Sequence, residues 1–149
     1  MEKITIGRFE KADFPLLDLE DISIKIDTGA YTSSIHCNNI VEKDDLLYCT
    51  FLDEEHTLYN GKEFVFKNFD IVFVKSSNGI IQKRYQVQST IIIFEKVFKI
   101  SLSLSARQEM RFPVLIGRKF LTKKFIVDPE LIDVSYNLKT DEHKNHFQK

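Results

Sequence analysis

From Phe98 to Ser105 the chain alternates without a break. Phe98, Ile100, Leu102 and Leu104 are apolar, while Lys99, Ser101, Ser103 and Ser105 are polar. A period of two belongs to a strand with one buried face, because successive side chains leave a pleated ribbon on opposite sides. Ile22, Ile24 and Ile26 repeat the pattern against Ser23, Lys25 and Asp27. Phe64 to Phe66, Asp70 to Lys75 and Ile80 to Phe94 read as further strands, with weaker ones near 4–9 and 46–52. Many short strands in one chain predict an all-β barrel or sandwich.

Turn chemistry separates these runs. Asn60-Gly61 and Asn78-Gly79 reach positive φ at little cost, so both are hairpin candidates. The Ser76-Ser77-Asn78-Gly79 group is the stronger, since strand-like segments flank it on both sides. Helix signals are few: one short segment after Gly117, roughly Arg118 to Lys123, and a turn around Ala106 to Met110. Residues 1–138 read as one domain, and residues 139–149 as a polar tail expected to fray.

The composition, 43% hydrophobic with thirteen Phe, five Tyr and no Trp, suits an aromatic, strand-rich core. Charged residues make up 29% of the chain and nearly cancel, to a net charge of −1. That balance gives no electrostatic case for nucleic acid as a partner. The longest apolar runs, such as Ile91 to Phe94, are too short to cross a bilayer. Met1 is followed by Glu2-Lys3 and not by an apolar signal core, so a cytoplasmic location is expected. In that compartment Cys37 and Cys49 are read as reduced thiols, although together they could form one disulfide.

The chemistry lies at the end of the isoleucine strand, in Asp27-Thr28-Gly29-Ala30. A glycine after an acid and a hydroxyl lets the backbone turn tightly and brings main-chain N–H groups near the carboxylate. Alone, such a tripeptide is no more than a turn, because Asp and Gly favour turns anyway. Its setting adds weight. Val114-Leu115-Ile116-Gly117 forms a second apolar element ending in glycine, Arg118 follows it, and the polar hairpin at 76–79 falls between the two. This order resembles the retropepsin family, with its catalytic Asp-Thr-Gly-Ala turn, flap hairpin and hydrophobic-hydrophobic-Gly-Arg segment. The match extends to a bacterial branch long labelled ATP-dependent zinc proteases. Three blocks carry it: Lys25 to His36, Met110 to Arg118, and Phe125 to Pro129.

The resemblance implies a closed retropepsin-like barrel with a flap hairpin and one short C-terminal helix. It implies catalysis by Asp27 with Thr28 and Gly29, and substrate contacts from Ala30, Ser76, Ser77, Asn78 and Gly79. Leu115, Ile116, Gly117 and Arg118 would support the site from behind. Family members often occur beside ATP-grasp ligases that attach amino acids to proteins, which implies a peptide or isopeptide substrate and such a ligase as a partner. Aspartic peptidases face two carboxylates across a shared proton and water. Only one Asp-Thr-Gly is present, so the second must come from another copy, in a twofold homodimer. Thr28 would then hydrogen-bond across the interface. Viral members usually carry a second Asp after this motif, which pairs with the Gly-Arg arginine. Tyr31 stands there, so Arg118 needs a different partner or contacts substrate.

Other residues carry plainer readings. His143-x-x-His146 has ligand-like spacing and His36 and His56 are further ligand types. There is no His-Glu-x-x-His and no Cys pair at zinc spacing, so neither metal nor cofactor is expected. His36 is read as packing or hydrogen-bonding near the turn. Ser33 and Ser34 lack a paired base and are read as turn polarity. Arg84, Arg107, Arg111 and Arg118 are read as ordinary ion-pairing residues. The rival to an aspartic peptidase is a retropepsin-fold module that binds a peptide or a partner ligase without cleaving it.

Overall fold

The computed structural model describes residues 2–75, 78–106 and 111–147. The strands are β1 (Ile4–Ile6), β2 (Phe9–Phe14), β3 (Leu19–Ile26), β4 (Ser33–Lys43), β5 (Leu46–Phe51) and β6 (Glu63–Phe66). They continue with β7 (Asp70–Lys75), β8 (Ile81–Ile93), β9 (Lys96–Ser105), β10 (Val114–Ile116) and β11 (Phe125–Val127). The helices are α1 (Arg118–Leu121) and α2 (Val134–Phe147), with a 3-10 turn at Pro15–Leu17.

Strands β10, β3, β2, β8, β9 and β4 pair in that order, and β10 pairs with β4 as well, which closes a six-stranded barrel. Closure removes the open edges that a flat sheet of this size would leave. β10 is the short strand that completes the ring. It runs parallel to β3, with Ile116 opposite Ile26, and antiparallel to β4, with Leu115 opposite Ser34. The strand entering the 27–30 turn and the strand leaving it are therefore both hydrogen-bonded to one element.

The barrel interior takes the alternating apolar residues: Ile22, Ile24 and Ile26 from β3, Leu102 and Leu104 from β9, and Val114 and Ile116 from β10. Fully burying one such side chain is worth about 1.5–3 kcal/mol, so this set anchors the strands behind the turn. β5 and β6 extend the sheet beyond β4, and β7 pairs with β8 alone among the described strands. The β7–β8 pairing runs in register from Asp70–Gln86 to Lys75–Ile81, the expected hairpin. Gly79 sits at its tip with φ 84°. Asn60-Gly61 differs from expectation: Gly61 has φ 69°, but it lies in the long connection between β5 and β6 rather than in a tight hairpin.

The short helix after Gly117 ends at Leu121, inside the expected range. α2 was not foreseen, and it continues into the segment expected to fray. Its first turn is held by Glu10 of β2. That buried carboxylate accepts from the N–H of Gly7 (2.7 Å) and of Ser135 (3.0 Å). The expected turn around Ala106 to Met110 falls largely outside the described residues. No described helix is long and apolar enough to cross a membrane.

Candidate functional site

The turn at 27–30 is rigid because nearly every backbone group in it has a partner. The Asp27 N–H donates to the Ile116 carbonyl at 2.8 Å, tying the acid to the end of β10. The Asp27 carbonyl accepts from the Ala30 N–H at 3.2 Å. The Gly29 N–H donates to Asp27 Oδ1, also at 3.2 Å, so the backbone itself orients the carboxylate. A Cβ on Gly29 would lie 3.3 Å from that same oxygen, which explains why the smallest residue follows the hydroxyl. Asp27 is half-buried while Thr28 and Gly29 are exposed, so the carboxylate is fixed from behind and open in front.

Gly117 and the start of α1 lock the other side of the turn. Three successive N–H groups point into it: Gly117 to Ser33 Oγ (3.0 Å), Arg118 to the Ala30 carbonyl (2.8 Å) and Lys119 to the Tyr31 carbonyl (3.0 Å). The first N–H groups of a helix have no partners inside it, and here the turn supplies them. The approach is close enough to require glycine. A Cβ on Gly117 would stand 2.5 Å from the Thr32 carbonyl oxygen and 2.6 Å from that of Tyr31.

Arg118 finds its partner in the main chain. Its Nη1 donates to the Thr28 carbonyl at 2.9 Å, and its guanidinium lies 5.9 Å from the centre of the Tyr31 ring. Tyr31 itself is 58% exposed. Leu115 and Ile116 lie on β10, whose end is tied to the turn through the Ile116 carbonyl. Asn78 and Gly79 are exposed at the hairpin tip, and Ser76 and Ser77 lie outside the described residues.

Some of the polar structure near the site was missed in the sequence. Ser33 and Ser34 are buried parts of β4 rather than loose turn residues. The Ser34 and Ser103 hydroxyls hydrogen-bond at 2.8 Å, the Ser103 hydroxyl reaches the Ser33 carbonyl at 3.2 Å, and Arg84 Nη1 donates to Ser34 Oγ at 3.3 Å. The clue available was the serine-rich face of β9 beside the Ser33-Ser34 pair. His36 is buried on β4, with Nε2 3.6 Å from Asp53 Oδ2, and His56 Nδ1 accepts from the Leu58 N–H. Among the described residues no group of three or more His, Cys, Asp or Glu is placed to hold a metal ion. Cys37 and Cys49 are free and buried, and burial together with the neighbouring Cys49 pushes the Cys37 thiol well above its ordinary range.

The profile of one family, described as "Retropepsin-like aspartic endopeptidase RimB", matches residues 5–136. The chain belongs to this RimB-like family. A similar solved structure is that of Lpg0085 of Legionella pneumophila, a protein of unknown function. It is 30% identical, with a TM-score of 0.65, and the likeness covers 91% of this chain and 99% of that one. Curated relatives bear a different name. A probable alpha-L-glutamate ligase of Shewanella halifaxensis is 35% identical over 133 residues, and one of Parasynechococcus marenigrum is 33% identical over 134. These matches cover 85% and 86% of this chain but only 29% and 28% of the ligases. The RimB-like domain thus corresponds to less than a third of those longer proteins.

Proposed function

We propose that the chain is an aspartic endopeptidase that works as a homodimer, with one Asp27 from each copy. The carrying observation is the Asp27 carboxylate itself, oriented by the Gly29 N–H, anchored through Ile116 and left open on one side. One such carboxylate cannot supply both roles of the reaction. In the dimer, one Asp27 takes a proton from water as the water attacks the scissile carbonyl. Its mate, protonated, donates a hydrogen bond to the carbonyl oxygen. Thr28, exposed beside it, hydrogen-bonds across the dimer interface in this reading and joins the two turns. The substrate is a peptide or isopeptide bond to glutamate, of the kind a glutamate ligase forms, and the compartment is the cytoplasm.

The test is hydrolysis of glutamate-containing peptides by the wild type and by Asp27→Asn, followed by mass spectrometry. The amide keeps the shape of the side chain and loses the base, so cleavage should vanish while fold and dimer persist. Sedimentation across concentration should show activity rising with the dimer. Comparable cleavage by the variant, or full activity from a monomer, overturns the mechanism.

One observation favours a second reading. The domain matches a part of proteins named as ligases, so it can serve as a ligase-associated module that holds the acceptor peptide. Binding by wild type and Asp27→Asn alike, with cleavage by neither at any pH, selects that reading.

A further inference from the structure

Beside α1 the surface sinks into a cavity of about 130 Å³, and its lining includes Lys99 from β9, Lys119 from α1 and Lys124 just beyond. Thr32 and Ser101 add hydroxyls, and Phe120 adds an apolar wall. No Asp or Glu lines it. The clustering is not a by-product of a basic chain, because the net charge is only −1. Elsewhere the described lysines in ion pairs have obvious carboxylate partners, Asp18 for Lys62 and Asp21 for Lys139. Among the described residues none of the cavity's lysines has one.

Three like charges around one depression repel each other within the Debye length, about 8 Å at physiological salt. A bound anion reverses that cost. Lys124 is held in place, its Nζ donating to the Phe120 carbonyl at 2.9 Å and lying 5.0 Å from the Phe120 ring. Lys99 and Lys119 are exposed and free to swing onto a ligand. The cavity also shares its frame with the catalytic turn. Thr32 lines it, and Lys119 is fixed by its N–H bond to Tyr31 on the same loop.

We propose that this cavity is a carboxylate subsite, which holds an acidic side chain of a peptide substrate beside the residues being cleaved. It rests on the peptidase reading for the identity of the ligand and adds the residues that select it. The lysines bind the carboxylate, the Thr32 hydroxyl donates to it, and Phe120 packs against the methylenes that carry it.

The probe is a short acetylated oligoglutamate, titrated into the Asp27→Asn protein so that turnover cannot interfere. The comparison is Asp27→Asn carrying Lys99→Glu and Lys119→Glu, exposed positions whose reversal should spare the fold, as circular dichroism would check. Each reversal replaces an attraction for the carboxylate with a repulsion, so affinity should fall about tenfold or more. Backbone amide shifts should concentrate at Thr32, Ser101 and Lys119, and an oligoglutamine should produce none. Unchanged affinity after the charge reversal, shifts elsewhere, or no binding of oligoglutamate overturns the subsite. Hydrolysis by the wild type is scored separately. Pocket binding without hydrolysis upholds the subsite and sinks the peptidase reading, whereas hydrolysis with affinity insensitive to the reversal does the opposite.

Discussion

Arg118 and Thr28 are joined side chain to main chain, the guanidinium Nη1 donating to the carbonyl at 2.9 Å. In the viral retropepsins that the sequence resembles, the arginine at this place usually pairs with a carboxylate, and here Tyr31 occupies that carboxylate's position. The charge instead braces the peptide unit next to Asp27. On the proposed peptidase reading the clamp acts on the geometry of Asp27 more than on stability, because Arg118 is exposed and surface contacts contribute little. Arg118→Ala should lower kcat about tenfold or more, since small misplacements of a catalytic group are costly. Thermal unfolding should shift by no more than about 1 kcal/mol. Arg118→Lys, which has the charge without the planar fork, should restore little. Steady-state kinetics beside melting curves decide it, and a variant with normal turnover would show the brace to be dispensable.

Gly117→Ala acts the other way, on the fold before the chemistry. Its Cβ would meet two backbone carbonyl oxygens at 2.5 and 2.6 Å, and neither belongs to a flexible side chain that could move aside. Overpacking of this kind costs about 3 kcal/mol or more, at the upper end of its usual range. Denaturant unfolding should show the loss, and activity should fall with it as the 27–32 loop is pushed from α1. A melting point within experimental error of the wild type would mean that the two segments part easily.

What the sequence revealed and what it hid have physical causes. The β3 alternation places Asp27 at a strand end, and the Val114–Gly117 block identifies the element behind it, because both signals are local. β9 carries the cleanest alternation and still misleads about its polar face. Ser103 and Ser105 are only 1% and 4% exposed, because neighbouring chain covers that side as well and the Ser103 hydroxyl is satisfied by Ser34 and Ser33. Two tight turns escaped notice because they lack glycine: Asp44-Asp45 and Phe94-Glu95 all have positive φ. Pairing of the flanking strands imposes that conformation where local preference does not. α2 was hidden for a similar reason. Its sequence has no apolar stripe, and its docking depends on contacts made far along the chain, from Glu10, from the Phe94 N–H to Ser135 Oγ, and from Lys139 to Asp21.

Gly79 tests whether the β7–β8 hairpin is a flap. Its φ of 84° lies where a β-branched residue is strained, yet a Cβ there would meet nothing within 4 Å. The penalty is therefore confined to the backbone of an exposed tip, about 1–2 kcal/mol, and the barrel has no part in it. Gly79→Val should lower the melting temperature by only about 2–8 °C, at the roughly 2–4 °C per kcal/mol expected for a domain of this size. If the tip closes over substrate, kcat/KM should drop about tenfold, because the strand ends can no longer bend to admit and release a peptide. Unaltered kinetics would assign the hairpin a purely structural part.

Glu10 predicts a pH dependence of stability that is independent of catalysis. It is 1% exposed, and burial raises its pKa above the usual carboxylate value, partly offset by the N–H groups of Gly7, Ser135 and Val134. The folded protein therefore holds this proton more tightly than the unfolded chain does. Stability from that linkage is complete below the unfolded-state pKa and is lost as pH rises through the higher folded-state value. Glu10→Gln cannot titrate, and its NH2 group would face one of the N–H donors that the carboxylate now satisfies. The variant should be destabilised by about 1–3 kcal/mol, the cost of a buried donor left unpaired. The gap between wild type and variant should be widest in acid and should narrow toward neutral pH, which cancels the contribution of every other carboxylate. Urea unfolding of both proteins across that interval measures it. A gap that widens with pH would mean that the three N–H bonds outweigh burial and that Glu10 is held as a favoured anion at the start of α2.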